Sequence, residues 1–230
     1  SSEDGASAFV NPMTALGFVE TAAMENQKGI IHLAAASNLG QMLVKICQED
    51  GRPLVNIVRS DAQVELLKGL GAEYIVNSSA PDFMDQLRAA IDATDAFCGF
   101  DPIGGGMNTD ACFKAMEQVA VSKMSEFSRY GSNQQKKMYI YGRLDLGPTT
   151  LTPSYGFGWT LSGWLLTPFL QVAGLETMMR MRQRVLDNIT TTFASHYKRK
   201  VSLEEMLTKD AVTDYRQMKT GEKYLVLPQA

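Results

Sequence analysis

The chain has 230 residues, 45% of them hydrophobic and 20% charged, with a net charge of −3. This is the composition of an ordinary globular protein, large enough for one domain or a domain plus an appendage. The balance excludes a general nucleic-acid or membrane-surface binder, because neither a basic excess nor an uninterrupted apolar span is present. The nearest to a span, Trp159 to Val172, is broken by Thr160, Ser162, Thr167, Pro168 and Gln171 and reads as a buried or pocket-lining element.

In chain order, "NPMTALGFVETAAMENQKG" opens a helix with Asn11 as N-cap and Pro12 at the first helical position, ending near Gly29. Strand one is about 30–34. The helix after it carries Leu39, Met42, Leu43, Ile46 and Cys47 on one stripe. "LVNIV" is strand two. "SDAQVELLKGLG" is a helix closing at Gly71, and "EYIVN" is strand three. "APDFMDQLRAAID" is a helix with Phe83, Leu87, Ala90 and Ile91 on one face. "AFCGFD" is strand four, 109–125 is helical, and "KMYIYGRL" is strand five.

Short apolar strands alternating with helices predict an α/β fold: a doubly wound parallel sheet of Rossmann type. "DLGPTTLTPSYGFGW" then reads as a loop, followed by a helix at about 176–193 with Met178, Met181, Val185, Ile189 and Phe193 inward. Ser202 to Glu205 is a capping box opening a helix that stops near Gly221, and "EKYLVLP" is a final strand. The three cysteines, Cys47, Cys98 and Cys112, are odd in number, lack metal spacing and read as buried thiols of a cytoplasmic protein. His32 reads as a satisfied core histidine, and no zinc site fits any familiar spacing.

The turn after strand one carries the chemistry. In the dinucleotide fingerprint G-x-G-x-x-G, the glycines allow a tight turn, approach of backbone to pyrophosphate, and close helix–strand packing. Here the three positions are Ala35, Ser37 and Gly40, so only the last is kept. The helix-start N–H groups still favour phosphate, and Ser37 and Asn38 add side-chain donors. Strand two ends in Arg59, nineteen residues after Gly40, where an acid would suit the ribose hydroxyl of NAD and an arginine suits the 2′-phosphate of NADP.

The stretches "NPMTALGFVE", "IIHLAAASNLGQ", "LLKGLGAEYIVNSS", "FDPIGGG", "YIYGRLD" and "MKTGEKYLVLP" follow in the order of a known family. On them the chain resembles the coenzyme-binding half of the medium-chain dehydrogenase/reductase superfamily, most closely its zinc-independent quinone-reductase and enoyl-reductase branch. The resemblance implies NADP(H) as cofactor and hydride transfer to a small-molecule acceptor such as a quinone, an enone or an enoyl thioester. It implies Thr14 near the nicotinamide, and Ser37, Asn38, Leu39 and Gly40 at the pyrophosphate. Arg59 and Ser60 fall at the 2′-phosphate, with Asn77 among the cofactor contacts. Asp101, Pro102, Ile103 and Gly104 border the ribose and nicotinamide, and Tyr141, Gly142 and Arg143 border the nicotinamide. It further implies a homodimer paired through the sheet edge near 145–153.

The place of the zinc-ligand cysteine in zinc-dependent members is about Val10, which puts metal-assisted alcohol oxidation in doubt. Members begin with a barrel-like, GroES-like catalytic domain. The expectation is therefore a Rossmann-type domain over 1–195 and a segment over 196–230 that would pack on, and with its strand complete, a domain absent from this sequence; such a piece would be inactive alone.

Other readings compete. Ser202, Tyr215 and Lys219 match the spacing of short-chain dehydrogenases, but Ser202 is explained by its capping box and the pair lies at the very end of the chain. A methyltransferase would want an acid where Arg59 stands. A zinc-containing alcohol dehydrogenase-type enzyme and a non-catalytic NADP(H)-sensing or oligomerisation module stay open as alternatives. Tyr141 and Tyr155 are candidates for a general acid by position only, with packing as the competing role.

Overall fold

In the computed structural model, residues 1–217 and 223–229 are described. Six strands form one parallel sheet: β1 (Ile30–Leu33), β2 (Leu54–Val58), β3 (Tyr74–Asn77), β4 (Cys98–Asp101), β5 (Lys136–Ile140) and β6 (Trp159–Gly163). Their spatial order is β3-β2-β1-β4-β5-β6. Ile30 pairs with both Leu54 and Cys98, so β1 is central. The strands are short and apolar because helices cover both faces; every residue of β1, β2 and β4 is buried.

One face is covered by α2 (Val10–Met24), α3 (Asn38–Glu49) and α7 (Leu166–Asp187), which pack around Phe18, Leu43, Phe100 and Met181. The other is covered by α5 (Phe83–Thr94) and α6 (Asn108–Ser122), around Ile31, Leu87, Phe113 and Met138. A four-residue helix, α1 (Ser2–Gly5), precedes α2, and α4 (Asp61–Gly69) joins β2 to β3. The stripe Leu39, Met42, Leu43, Ile46 and Cys47 is buried in full, as its spacing predicts. Gly71, at φ +79°, closes the turn after α4.

Several expectations are corrected. Asn11 is not an N-cap: α2 starts at Val10, with no side-chain cap bond at Phe9. Pro12 then lies third in the helix, where an N–H has no intrahelical partner to lose. The helix ends at Met24 rather than Gly29, because Asn26 adopts φ +55°. The last long helix starts at Leu166 and is broken at Gly174 (φ 83°, ψ 169°), so it is two segments that meet at a kink.

Strand five stops at Ile140, which leaves Tyr141, Gly142 and Arg143 in the following loop. The segment 145–153 is not the edge strand. Its backbone is spent inside the chain: Gly106 N–H donates to Pro148 O at 3.0 Å and Thr150 N–H to Gly106 O at 2.9 Å. The edge strand is β6, at 159–163.

The C-terminal part forms a second sheet, in which β7 (Tyr197–Val201) pairs in parallel with β8 (Lys223–Val226). The final strand is as expected, but its partner β7 is a strand of this same chain that the sequence reading lacks. The Ser202–Glu205 capping box is present and opens only a short helix, α8 (Leu203–Met206), followed by α9 (Lys209–Tyr215). The helix end expected near Gly221 and the Lys219 of the rejected Tyr–Lys pair lie outside the described residues.

Candidate functional site

In a sheet of this order the chain leaves β1 toward one side and β4 toward the other, which opens a crevice at the carboxyl ends of these two strands. The turn after β1 forms its floor. Ala34 takes φ +51°, a left-handed conformation uncommon for alanine, and Ala35 N–H donates to Ile57 O at 3.0 Å. Ser37 is the N-cap of α3, its Oγ accepting from Gly40 N–H at 3.2 Å. A Cβ on Gly40 would collide with the Ala35 carbonyl, so this glycine provides the close helix–strand approach. The N–H groups of Asn38 and Leu39 have no partner among the described residues and remain free for an anion.

At the carboxyl end of β2, Arg59 is exposed, and its guanidinium makes no ion pair or hydrogen bond among the described residues. Ser60 is the N-cap of α4 without a side-chain cap bond, so its hydroxyl is also uncommitted there. Asn77, at the end of β3, is committed. It donates to Asp61 Oδ1 at 2.8 Å and accepts from Ser79 N–H at 3.0 Å, which braces the loop beside Arg59.

Across the crevice, Asp101 is buried and turned inward. Its Oδ1 accepts from the N–H groups of Ile103 (2.7 Å) and Gly104 (3.2 Å), and its Oδ2 from Thr109 (2.8 Å). It therefore shapes the turn rather than presenting a carboxylate to a ligand. That turn interlocks with the loop after β5. A Cβ on Gly104 would lie 2.9 Å from Gly142 O, and one on Gly142 would lie 2.7 Å from Pro102 O. Leu144 N–H also donates to Pro102 O and Asp145 N–H to Ile103 O. Ile103, Gly104, Gly142 and Arg143 thus form one wall, with Arg143 exposed and bonded to Leu146 O.

Tyr141 joins this wall to α2 and β1. Its N–H donates to Asp101 O, its ring lies 4.7 Å from Phe18, and its hydroxyl is 2.7 Å from His32 Nε2. Thr14 is buried one helical turn before Phe18, on the same side of α2. Burial holds the His32 pKa down to about 3, so the ring is neutral. Burial, with the Asp101 charge second, pushes the Tyr141 hydroxyl up.

Tyr155 is accounted for by packing. It is fully buried, stacks on Phe113 and hydrogen-bonds to Asp110. The three cysteines are free and buried, and burial pushes the Cys47 and Cys98 thiols to about 12. Among the described residues, no group of three His, Cys, Asp or Glu side chains is placed to hold a metal, and no helix is long and apolar enough to cross a membrane.

One residue beside the turn is absent from the sequence reading. Lys223, on β8, places Nζ 3.3 Å from Ser195 Oγ and 3.4 Å from Ser7 Oγ, and Asn38 Nδ2 donates to the same Ser195 Oγ at 3.4 Å. No described carboxylate pairs with this half-buried ammonium, and burial lowers its pKa. A lysine in a terminal strand gives no local signal. Its proximity to α3 arises only from the pairing of β7 with β8.

No protein-family model matches the chain. Solved structures do. A protein assigned as an NADPH:quinone reductase from Mesorhizobium loti superposes with a TM-score of 0.79 at 24% identity, over 99% of this chain and 61% of its own. A mycobacterial protein solved in complex with NADPH gives 0.68 at 18% identity, over 99% and 65%. An enoyl thioester reductase from Candida tropicalis, in a mutant form, gives 0.66 at 17% identity, over 94% and 59%. The chain thus spans less than two thirds of the length of each of these three structures. Over nearly its whole length, the chain shares the Rossmann-like fold of these structures.

Proposed function

We propose that the crevice between β1 and β4 binds NADPH, and that the chain is the coenzyme-binding part of an oxidoreductase that passes hydride to a quinone, enone or enoyl-type acceptor. The observation that carries this reading is Arg59, a guanidinium with no partner among the described residues, standing where the second strand meets the adenosine ribose in this fold. The residues of the turn fit a diphosphate. Asn38 and Leu39 offer free N–H groups, Gly40 allows the approach, and Lys223 brings a cation to the same end of α3.

NADPH, when bound, supplies the hydride from its nicotinamide; the chain's residues bind and orient it. Arg59 and Ser60 would take the 2′-phosphate, with Asn77 bracing their loop. Ser37, Asn38, Leu39 and Lys223 would take the pyrophosphate. Thr14, Ile103, Gly104, Tyr141, Gly142 and Arg143 would wall the nicotinamide, with Asp101 holding the turn. Fold neighbours that are reductases, one of them solved with NADPH, support the assignment. In the same reading the protein is cytoplasmic, 1–195 is the coenzyme domain, and 196–230 packs against a further catalytic domain. The exposed edge of β6 pairs two copies, since an open sheet edge invites a partner.

One observation favours NADH instead: Asp61, an acid two residues beyond Arg59. Its Oδ1 is already engaged by Asn77, which weakens that reading. Fluorescence titration of NADPH and NADH against wild type and Arg59→Ala, at one ionic strength, tests the choice. A hydrogen bond to a charged group contributes about 1.5–3 kcal/mol, so the substitution should weaken NADPH by roughly ten- to a hundredfold and leave NADH almost unchanged. Equal affinity for both cofactors in the wild type would discard the NADPH assignment.

A further inference from the structure

We infer that His32 is a positioning residue: it donates from Nε2–H to the Tyr141 hydroxyl oxygen and thereby directs the Tyr141 O–H toward the carboxamide oxygen of the nicotinamide. The ligand named here rests on the cofactor reading above; the proton position on His32 does not.

The argument starts from one buried ring. His32 is on the central strand β1, with none of its surface exposed. Nε2 lies 2.7 Å from the Tyr141 oxygen, while Nδ1 is buried and has no hydrogen-bond partner among the described residues. The ring is neutral, because burial holds its pKa at about 3. A neutral imidazole has one N–H, so two arrangements compete. With the proton on Nδ1, an N–H would be sealed away from any acceptor, which folded proteins rarely tolerate, and the Tyr141 proton would be consumed by Nε2. With the proton on Nε2, only a lone pair is left dry, and the hydrogen bond to Tyr141 is kept. The second arrangement fits the surroundings, and it has a consequence: Tyr141 accepts from His32 and keeps its own proton for another partner.

Where that proton can go follows from the fold. Tyr141 comes just after β5, yet its hydroxyl reaches β1, two strands away in the sheet. The side chain therefore crosses the carboxyl end of β4, over the point where the strand order reverses. Its N–H is tied to Asp101 O, and Phe18 closes the other side at 4.7 Å. The two rings are 18° from parallel, with centroids 5.9 Å apart. Tyr141 is partly exposed at the crevice, and burial with the nearby Asp101 charge keeps it protonated as a donor.

The test has two independent parts. Long-range proton–nitrogen spectra of the free, nitrogen-15-labelled protein report the tautomer, and His196→Gln assigns the two rings. His32 should show a protonated Nε2 and a bare Nδ1, unchanged between pH 7 and pH 5. A proton on Nδ1, or a ring that titrates in this range, would overturn the inference. For the ligand, Tyr141→Phe should weaken NADPH and NADH alike by roughly three- to tenfold, as expected for one neutral hydrogen bond. His32→Gln, which keeps an N–H donor for Tyr141, should bind more tightly than His32→Leu. Unchanged affinity in Tyr141→Phe, with wild type still binding, would overturn the assigned partner. If wild type binds neither cofactor, the cofactor reading and the named ligand both fall, and the spectrum alone decides the tautomer.

Discussion

The buried, neutral His32 predicts a specific acid lability. In the unfolded chain the imidazole titrates near its ordinary pKa of about 6.5. In the folded protein burial holds it at about 3. Between these values the unfolded state binds a proton that the folded state refuses, so stability rises with pH and is lost as pH falls. The slope approaches about 1.4 kcal/mol per pH unit for one group once pH is below the unfolded pKa, so lowering pH from 6.5 to 4.5 should remove roughly 2.3 kcal/mol. Carboxylates also contribute in this range, but they are common to wild type and His32→Gln, and glutamine does not titrate. Urea unfolding of both proteins at pH 7.0, 6.0, 5.0 and 4.5, at one ionic strength, isolates the histidine. The variant should start less stable and gain on the wild type with each step down. A stability difference that stays flat from pH 7 to 4.5 would refute the reasoning, because it would mean that His32 takes a proton in the folded state.

Three further outcomes follow from the turn and its surroundings. Gly40→Ala places a methyl against the Ala35 carbonyl and should cost about 1–3 kcal/mol in urea unfolding; an unchanged midpoint would show that α3 can shift. Ala34→Gly relieves the left-handed backbone, about 1–2 kcal/mol, against a loss of about 0.4–1 kcal/mol from the freer unfolded chain. A small net rise in melting temperature is expected, and a fall would count against strain at φ +51°. Lys223→Met should weaken NADPH and NADH equally, by about tenfold or more, because the pyrophosphate is common to both. A loss confined to NADPH would place the lysine at the 2′-phosphate instead.

What was legible in the sequence was what is local. The second strand is read to the residue, since an apolar run buried on both faces leaves no ambiguity about its ends. The α3 stripe and the role of Gly40 are likewise contained within a dozen residues. β7 was missed because "YKRKV" is mostly exposed and carries three basic residues, so nothing in it resembles the apolar strands of the main sheet. The start of α7 was missed because Pro168 and Gly174 look like breakers. Pro168 lies in the first helical turn, where its missing N–H costs nothing, and Gly174 breaks the helix into two segments that meet at a kink. In the crevice, Arg59 and Ser37 came from spacing. The His32–Tyr141 pair spans 109 residues and the Lys223–Ser195–Asn38 chain crosses two sheets, so only the folded chain brings them together.

Two of the three fingerprint positions, Ala35 and Ser37, are not glycine. The turn survives because Ala34 accepts a left-handed backbone and Ala35 is tied to Ile57. The N–H of Gly40 is used by the Ser37 cap, which leaves the amides of Asn38 and Leu39 without a partner among the described residues at the start of α3. In the proposed reading, two amides and a methyl-bearing turn hold a diphosphate less closely than a glycine-rich one. The remaining attraction then comes from side-chain cations at either side of the crevice, Arg59 beyond β2 and Lys223 beside α3. Backbone amides are fixed dipoles at short range, whereas exposed cations act through solvent and are screened over about 8–10 Å at ordinary ionic strength. Cofactor affinity in this protein should therefore fall with added salt more steeply than affinity carried by a glycine-rich turn. Arg59, exposed and with a guanidinium that has no partner among the described residues, should account for more of that dependence than the half-buried Lys223.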